Sequence, residues 1–203
     1  MAHFLLLRGI VSQKSGVASC RLCVQNEECL ATIVQSFLIQ IALALHNYHD
    51  LHRSFPVARE ARGKGLSWRV HILPYLEQQA LYEQFHLNEP WDSPHNRTLI
   101  EKMPDVFRSP LSKLPLGHTS YLGVGGPRGI FRPGEGTRLR DILDGTSNTA
   151  MVIEVGPEQA VIWTKPDDFI PDETKPLLGL RLPLQDGTNV AFCDGSVRFM
   201  HRQ

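Results

Sequence analysis

The stretch LATIVQSFLIQIALALHNY, residues 30–48, decides the fold because it is the longest helical pattern in the chain. Wound as a helix at about 100° per residue, it gathers its large apolar side chains into an arc of roughly 100°. This inner stripe comprises Leu30, Val34, Phe37, Leu38, Ile41, Leu45 and Tyr48. Asn26 is a suitable N-cap, and Glu27 and Glu28 follow in the first turn, where the helix dipole favours acidic residues. The sequence therefore predicts a helix from about Asn26 to His49 with one buried face.

The opposite face of this helix is not fully polar. Ile39 and Leu43 lie there beside Gln35, Ser36 and His46. A helix that is apolar on two sides usually packs against two partners. We therefore expect a sheet of the same domain to cover the inner stripe, and we predict Ile39 and Leu43 to be the surface that faces a partner.

Length and composition indicate one domain of mixed structure. The chain has 203 residues, which fits a single domain, and we divide it into a poorly defined tail, residues 1–25, and a folded domain, residues 26–203. Lysine and arginine number 21, as do aspartate and glutamate, so no net charge steers the protein to nucleic acid. Sixteen glycines and 14 prolines, mostly after Pro56, indicate many turns, which favours the α+β class.

The N-terminal third gives no clear export signal. The uncharged run from Cys29 to His49 is long enough to suggest a membrane span, but it contains two glutamines, one asparagine and two histidines. This composition favours an amphipathic helix of a soluble domain. Phe4 to Leu7 is too short for the apolar core of a signal peptide. We therefore expect no export signal in the chain as given.

The cysteines and histidines do not follow a metal-binding spacing. Cys20 and Cys23 form a Cys-x-x-Cys pair that could begin a zinc site, but no second pair of that spacing follows. His46, His49 and His52 would spread over about 120° of a continuing helix, which is wide for one metal ion. The spacing favours ordinary cysteines and a helix C-terminus at which imidazoles meet the last carbonyls.

Further elements follow in the chain. Ser67 is a plausible cap for a helical segment from Trp68 to Phe85, in which Pro74 should end one short helix and begin a second. Strand composition marks residues 119–124, 150–155 and 160–164. At the C-terminus, residues 189–193 and 196–200 alternate on either side of Asp194-Gly195. This pattern predicts a hairpin with a two-residue turn and positive φ at both central residues.

Seven stretches in this order resemble a known family. They are IALALHNYHD, SWRVHILPYLEQQALY, EPWDSPHN, TSYLGVGG, DGTSNTAMVIEV, WTKPDD and VAFCDGSVRFM. Together they are similar to a planctomycete-type family of pseudopilin-like proteins of uncharacterised function, with a prepilin-type N-terminus and a C-terminal region named for a His-X9-Asp-Gly pattern. The resemblance covers about residues 36–201. It implies a type IV pilin-like fold, in which a long N-terminal helix packs on an antiparallel β-sheet.

The chain departs from this family pattern in two places. Members usually begin with a short basic leader, then a phenylalanine, a glutamate and an apolar helix, and residues 1–35 do not match it. The histidine that opens the C-terminal pattern would fall at Leu184, whereas Asp194-Gly195 is retained. The resemblance implies the cell envelope as the location, but the leader that would direct membrane association is not recognisable.

Three Asp-Gly pairs are the candidate metal ligands. Asp144, Asp186 and Asp194 each precede glycine, with further oxygen-bearing side chains nearby. Calcium takes six to eight oxygens from flexible loops, so these loops are candidate calcium sites. The alternative, which the turn chemistry favours, is that they are structural turns. No other cofactor is indicated.

No catalytic residues are predicted. The chain has no Gly-x-Ser-x-Gly elbow, no phosphate-binding loop and no His-Glu-x-x-His motif. We therefore expect a non-enzymatic structural or accessory subunit of a type II secretion or pilus-like assembly, whose partners are other protein subunits. The alternative is a soluble periplasmic or cell-surface binding module that uses Trp68, Trp91 and Trp163, with saccharides as the candidate ligand.

Overall fold

The first element is a single long helix, α1, Glu27–His52. A computed structural model describes residues 27–57, 65–126, 129–172, 174, 180 and 187–201, so the predicted tail and the cap at Asn26 lie outside the described residues. The helix is confirmed and continues to His52. It ends because Arg53 adopts a left-handed conformation, φ 61°, and donates its backbone N–H to the His49 carbonyl at 2.7 Å. The helix therefore stops before Pro56.

Antiparallel strands follow α1. In chain order, they are β1 His118–Thr119, β2 Tyr121–Gly123, β3 Phe131–Arg132, β4 Glu135–Gly136, β5 Ala150–Glu154, β6 Val161–Ile162, β7 Gly187–Phe192 and β8 Val197–His201. The main sheet has four strands in the order β2-β5-β7-β8, and every neighbouring pair is antiparallel. Two small antiparallel pairs, β1 with β6 and β3 with β4, flank it. The three predicted strand regions and both hairpin strands are found, although β6 is only two residues long.

The turn of the C-terminal hairpin differs from the prediction. β7 pairs with β8 up to Ala191 and Val197, and Phe192 N–H donates to the Ser196 carbonyl, so the loop has three residues, 193–195. Gly195 has φ 84° and its N–H donates to the Phe192 carbonyl, whereas Asp194 is not among the described residues with positive φ. The prediction of a two-residue turn was therefore wrong. A β-turn closed by a left-handed glycine is the common three-residue form.

The inner stripe of α1 packs on the main sheet. Val34, Phe37, Leu38, Ile41 and Leu45 are all buried in one hydrophobic core. The helix contacts β5, β7 and β8, and the Gln35 side-chain amide donates to Asn189 on β7 at 3.4 Å. The predicted α+β class, a long N-terminal helix on an antiparallel sheet with short helices inserted, is confirmed.

Short helices cover the other end of the core. They are α2 Trp68–His71, α3 Gln79–Tyr82 and the 3₁₀ helices Leu73–Leu76, Asn96–Lys102, Asp105–Phe107, Leu139–Asp141 and Pro157–Gln159. Ser67 caps α2 as predicted, accepting from Arg69 N–H at 3.3 Å. A helix does begin near Pro74, but it ends at Leu76 because Glu77 is left-handed, φ 59°. The predicted second helix is therefore two short pieces.

One helix is long and apolar enough to cross a membrane by length and composition. This segment is Cys29–His52, and 39% of its most apolar window is buried inside the protein. The same properties are found in the core helix of a soluble protein, so length and composition do not separate the two cases.

Candidate functional site

The outer face of α1 carries exposed apolar side chains. Ile39 is 50% exposed and Leu43 is 59% exposed, while Ile41, between them in sequence, is fully buried. Leu51 extends the apolar surface toward the C-terminus of the helix and is 70% exposed. The structure thus places the two predicted partner-facing residues on the surface. That they bind a partner stays a prediction.

A buried ion pair joins three distant parts of the chain. Arg69 on α2 is fully buried, and its guanidinium lies 3.0 Å from Asp168 Oδ1. The same guanidinium donates to the Tyr121 carbonyl on β2, from Nη2 at 2.7 Å and from Nε at 3.0 Å. Nη1 donates to Ser67 Oγ at 2.7 Å. One side chain therefore ties α2 to the main sheet and to the loop that follows β6.

Asp168 accepts from three donors on one oxygen. Besides Arg69, Oδ1 accepts from Trp68 Nε1 at 2.9 Å and from Gly123 N–H at 2.8 Å, while Oδ2 is buried and has no partner among the described residues. Burial raises the pKa of Asp168, and the positive charge of Arg69 opposes that rise. The charged carboxylate of Asp168 therefore attaches the loop after β6 to α2 and β2 through these three hydrogen bonds.

A second buried carboxylate lies on the inner face of the main sheet. Glu154 on β5 is fully buried; its Oε1 accepts from Ser109 Oγ at 2.5 Å and its Oε2 from Asn189 Nδ2 at 3.4 Å. Tyr121 pairs with Glu154 across the strands, and burial raises the pKa of both groups. No cation is paired with Glu154 within the described residues, so only neutral donors stabilise its charge.

Several of the stretches that carry the family resemblance thus meet inside the protein. SWRV, TSYLG and WTKPDD supply the Arg69–Asp168 pair with its donors, and TAMVIEV supplies Glu154. The sequence matches, over residues 35–122 and 113–177, the family described as "Protein of unknown function (DUF1559)". The chain belongs to this family. No curated protein and no solved structure matches the sequence of this chain. The DUF1559 match thus includes the residues of both buried networks except Asn189.

Of the three aspartates predicted to bind calcium in this DUF1559 chain, the two within the described residues lie in different surroundings. Asp186 lies outside the described residues. Asp194 Oδ1 accepts from the backbone N–H and the hydroxyl of Ser196, at 2.9 and 2.6 Å, which is turn chemistry. Asp144 is exposed and lines a surface cavity. Among the described residues, no three His, Cys, Asp or Glu side chains form a group that could hold a metal ion. Calcium at these loops stays a prediction.

Of the histidines at the end of α1, His46 and His49 are partly buried, whereas His52 is exposed. The His49 ring accepts from Leu139 N–H at 3.3 Å, and the His46 ring lies 5.8 Å from Phe55. Burial lowers the pKa of His46, and burial raises the pKa of the Cys193 thiol to about 12. His46 is therefore a neutral imidazole at pH 7, and Cys193 is a protonated thiol. Cys20 and Cys23 lie outside the described residues.

The tryptophans do not form a saccharide platform. Trp68 and Trp163 are fully buried, and the rings of Trp163 and Phe107 stack with centroids 5.9 Å apart. Their interpretation as ligand-stacking residues is wrong, because core side chains already cover their faces. Trp91 is partly buried, with the Lys165 ammonium 6.0 Å from its ring centre.

The sequence did not lead us to predict the Arg69–Asp168 ion pair. The two residues are 99 positions apart, and an arginine beside a tryptophan resembles a surface residue unless its partner is known. The one available signal was the presence of SWRV and WTKPDD among the family stretches.

Proposed function

We propose that this DUF1559 protein is a non-enzymatic structural or accessory subunit of a type II secretion or pilus-like assembly. The observation that carries the proposal is the exposure of Ile39 and Leu43 on the N-terminal helix, 50% and 59%. Neighbouring apolar side chains on one face of a long helix mark an interaction surface more often than chance exposure does. The partners are other protein subunits that pack against this outer face.

The way α1 is held supports this role. Its inner stripe packs in the hydrophobic core, and Gln35 donates a hydrogen bond to Asn189 on β7. The helix is therefore a rigid rod whose outer face keeps a fixed position relative to the sheet. The same segment is long and apolar enough to cross a membrane, which supports a place in the cell envelope. The balanced charge of the chain gives no support to a nucleic-acid partner.

The buried carboxylates support a non-enzymatic role. Glu154 is occupied by Ser109 and Asn189, and Asp168 Oδ1 by three donors. Both have raised pKa values, as catalytic groups often do, but both are buried inside the core. Their hydrogen bonds connect strands and loops of the fold, which is a structural use.

The experiment is the double substitution Ile39→Glu with Leu43→Glu. The matched control is Leu87→Glu with Leu116→Glu, which adds the same charge at exposed leucines outside α1. We expect both variants to keep the wild-type melting temperature, because none of the four residues is buried. Sedimentation velocity over a range of concentrations should show that only the first variant loses self-association.

Two results would contradict the proposal. If the Ile39 and Leu43 variant unfolds while the control is stable, the outer face belongs to the core. If both variants associate as the wild type does, the assembly surface lies elsewhere.

A further inference from the structure

A surface cavity of about 290 Å³ lies between the β3–β4 hairpin and the segment that follows it, residues 137–144. Its volume is close to the lower end of the range for small-molecule sites, about 300 to 1,000 Å³. The lining combines charged, hydroxyl and aliphatic side chains; those that matter here are Arg132, Thr137, Asp141, Ile142 and Asp144. The cavity is larger than a bare ion needs and suits a small organic molecule.

Two opposite charges in this lining are free to bind. Arg132 donates from Nε to the Gly129 carbonyl at 3.2 Å, and its terminal nitrogens have no other hydrogen bond in the described part of the chain. The backbone carbonyl of Asp144 accepts a hydrogen bond from Asn148 at 3.1 Å, and its carboxylate has no hydrogen bond within the described residues. The two side chains do not form an ion pair with each other in residues 129–172, so each can accept a ligand group of opposite charge.

Asp141, the third charged residue of the lining, already has partners within the protein. Asp141 Oδ2 accepts from Arg138 N–H at 3.2 Å and lies 3.7 Å from Arg138 Nε. Its other oxygen lies 3.9 Å from Arg140 Nε. The free charges of the cavity are therefore one guanidinium and one carboxylate.

A buried hydroxyl marks the same cavity. Thr137 lines the cavity and is 2% exposed, and its Oγ1 has no hydrogen-bond partner among the described residues. Buried polar groups without a partner are rare in folded proteins, so this hydroxyl is a spare hydrogen-bonding group in the wall of the cavity. Ile142 is half-buried and also lines the cavity, so the wall offers an aliphatic surface.

We propose that this cavity binds a small zwitterion of the α-amino acid class with an aliphatic side chain. Arg132 receives the carboxylate and Asp144 the ammonium, while Ile142 receives the side chain. A neutral sugar would leave both charges unpaired, and a calcium ion would be repelled by Arg132. The proposal does not depend on the assembly role of α1, which lies on different residues.

The test is isothermal titration of the full chain with L-leucine. Two matched probes each lack one charge: 4-methylpentanoate has no ammonium, and 3-methylbutylamine has no carboxylate. We expect heat of binding for leucine and at least about tenfold weaker binding for either probe, since each loses a charge-assisted hydrogen bond. Glucose and calcium chloride are titrated as the competing ligand classes.

Variants then assign the contacts. Arg132→Met and Asp144→Asn should each weaken leucine binding about tenfold or more, and Arg132→Lys should restore part of the loss. The controls Arg108→Met and Glu101→Gln alter exposed charges outside the lining and should bind as the wild type does. Thermal unfolding without ligand establishes that each variant is folded.

Several results would overturn the proposal. They are no leucine binding at millimolar concentration, equal binding of a probe that lacks one charge, binding of glucose or calcium in place of leucine, and leucine binding that folded Arg132→Met and Asp144→Asn both retain.

Discussion

The two buried carboxylates, Asp168 and Glu154, solve the same problem in different ways. Asp168 lies 3.0 Å from the Arg69 guanidinium, whereas Glu154 is held by a hydroxyl and an amide. A buried charge needs a counter-charge or enough hydrogen bonds to offset its lost hydration. The Arg69–Asp168 ion pair therefore acts as a clamp, by which we mean a pair of opposite charges that joins α2, β2 and the loop after β6. Glu154, by contrast, is a carboxylate within the sheet that has no counter-charge among the described residues.

This difference has a consequence for stability against pH. Because the folded pKa of Glu154 is raised, the folded state binds its proton more tightly than the unfolded chain does. Stability then falls as pH rises from the ordinary value of 4.5 through the folded pKa of Glu154. His46 and His71 have lowered pKa values, so they reduce stability as pH falls below 6.5.

The largest expected effect comes from breaking the clamp. Asp168→Ala leaves the Arg69 charge buried and unpaired, and should cost about 3 to 5 kcal/mol of unfolding free energy. Urea unfolding at pH 7 measures the loss. As a control, Arg69→Met combined with Asp168→Leu removes both charges and should cost less than Asp168→Ala alone. A loss below about 1 kcal/mol in the single variant would show that the pair is not a clamp.

A smaller effect is expected at the neutral donor of Glu154. Ser109→Ala removes the hydroxyl that donates at 2.5 Å and should cost about 1 to 3 kcal/mol at pH 8. The loss should be smaller at pH 4, below the ordinary value of 4.5 and below the raised pKa of Glu154, because the protonated carboxyl needs the donor less. Ser147→Ala, at an exposed loop position, is the control. Equal losses at both pH values would argue that Glu154 does not carry a charge in the fold.

The smallest change at any one pH is expected for Glu154→Gln. Glutamine keeps the shape of the side chain and removes the charge that burial disfavours. We expect the variant to be as stable as the wild type at pH 4 and at least as stable at pH 8. The alkaline fall should be reduced to the part that the raised pKa of Asp168 contributes, and the fall below pH 6.5 should be retained. Chemical unfolding across this range tests it. An unchanged fall toward alkaline pH would locate the titrating group elsewhere.

Local patterns were predictable from the sequence, because they depend on neighbours along the chain. The period of the residues from Val34 to Leu45 predicted both the buried stripe and the exposed Ile39 and Leu43. Alternation around Asp194-Gly195 likewise predicted the strands β7 and β8. The turn between them was not predictable, because Asp-Gly suits a two-residue loop and also a three-residue loop with glycine last.

Long-range features were not predictable. Nothing near Arg69 indicates that its partner lies 99 residues away, and a lone tryptophan such as Trp163 gives no sign of whether its faces are covered. The cavity beside Thr137 depends on how the β3–β4 hairpin folds back on residues 139–144, which no short pattern specifies. Asp144 was found as a candidate, but Arg132 was missed for this reason.

The packing of α1 against the last hairpin sets the order in which the protein can fold. The helix ends at His52, while the strands that cover it, β7 and β8, begin at Gly187. The ribosome therefore releases α1 long before it synthesises β7 and β8. Until then, the apolar side chains on both faces of α1 are uncovered. In that interval the inner stripe of α1 has no native cover, and the release of the C-terminal hairpin supplies it.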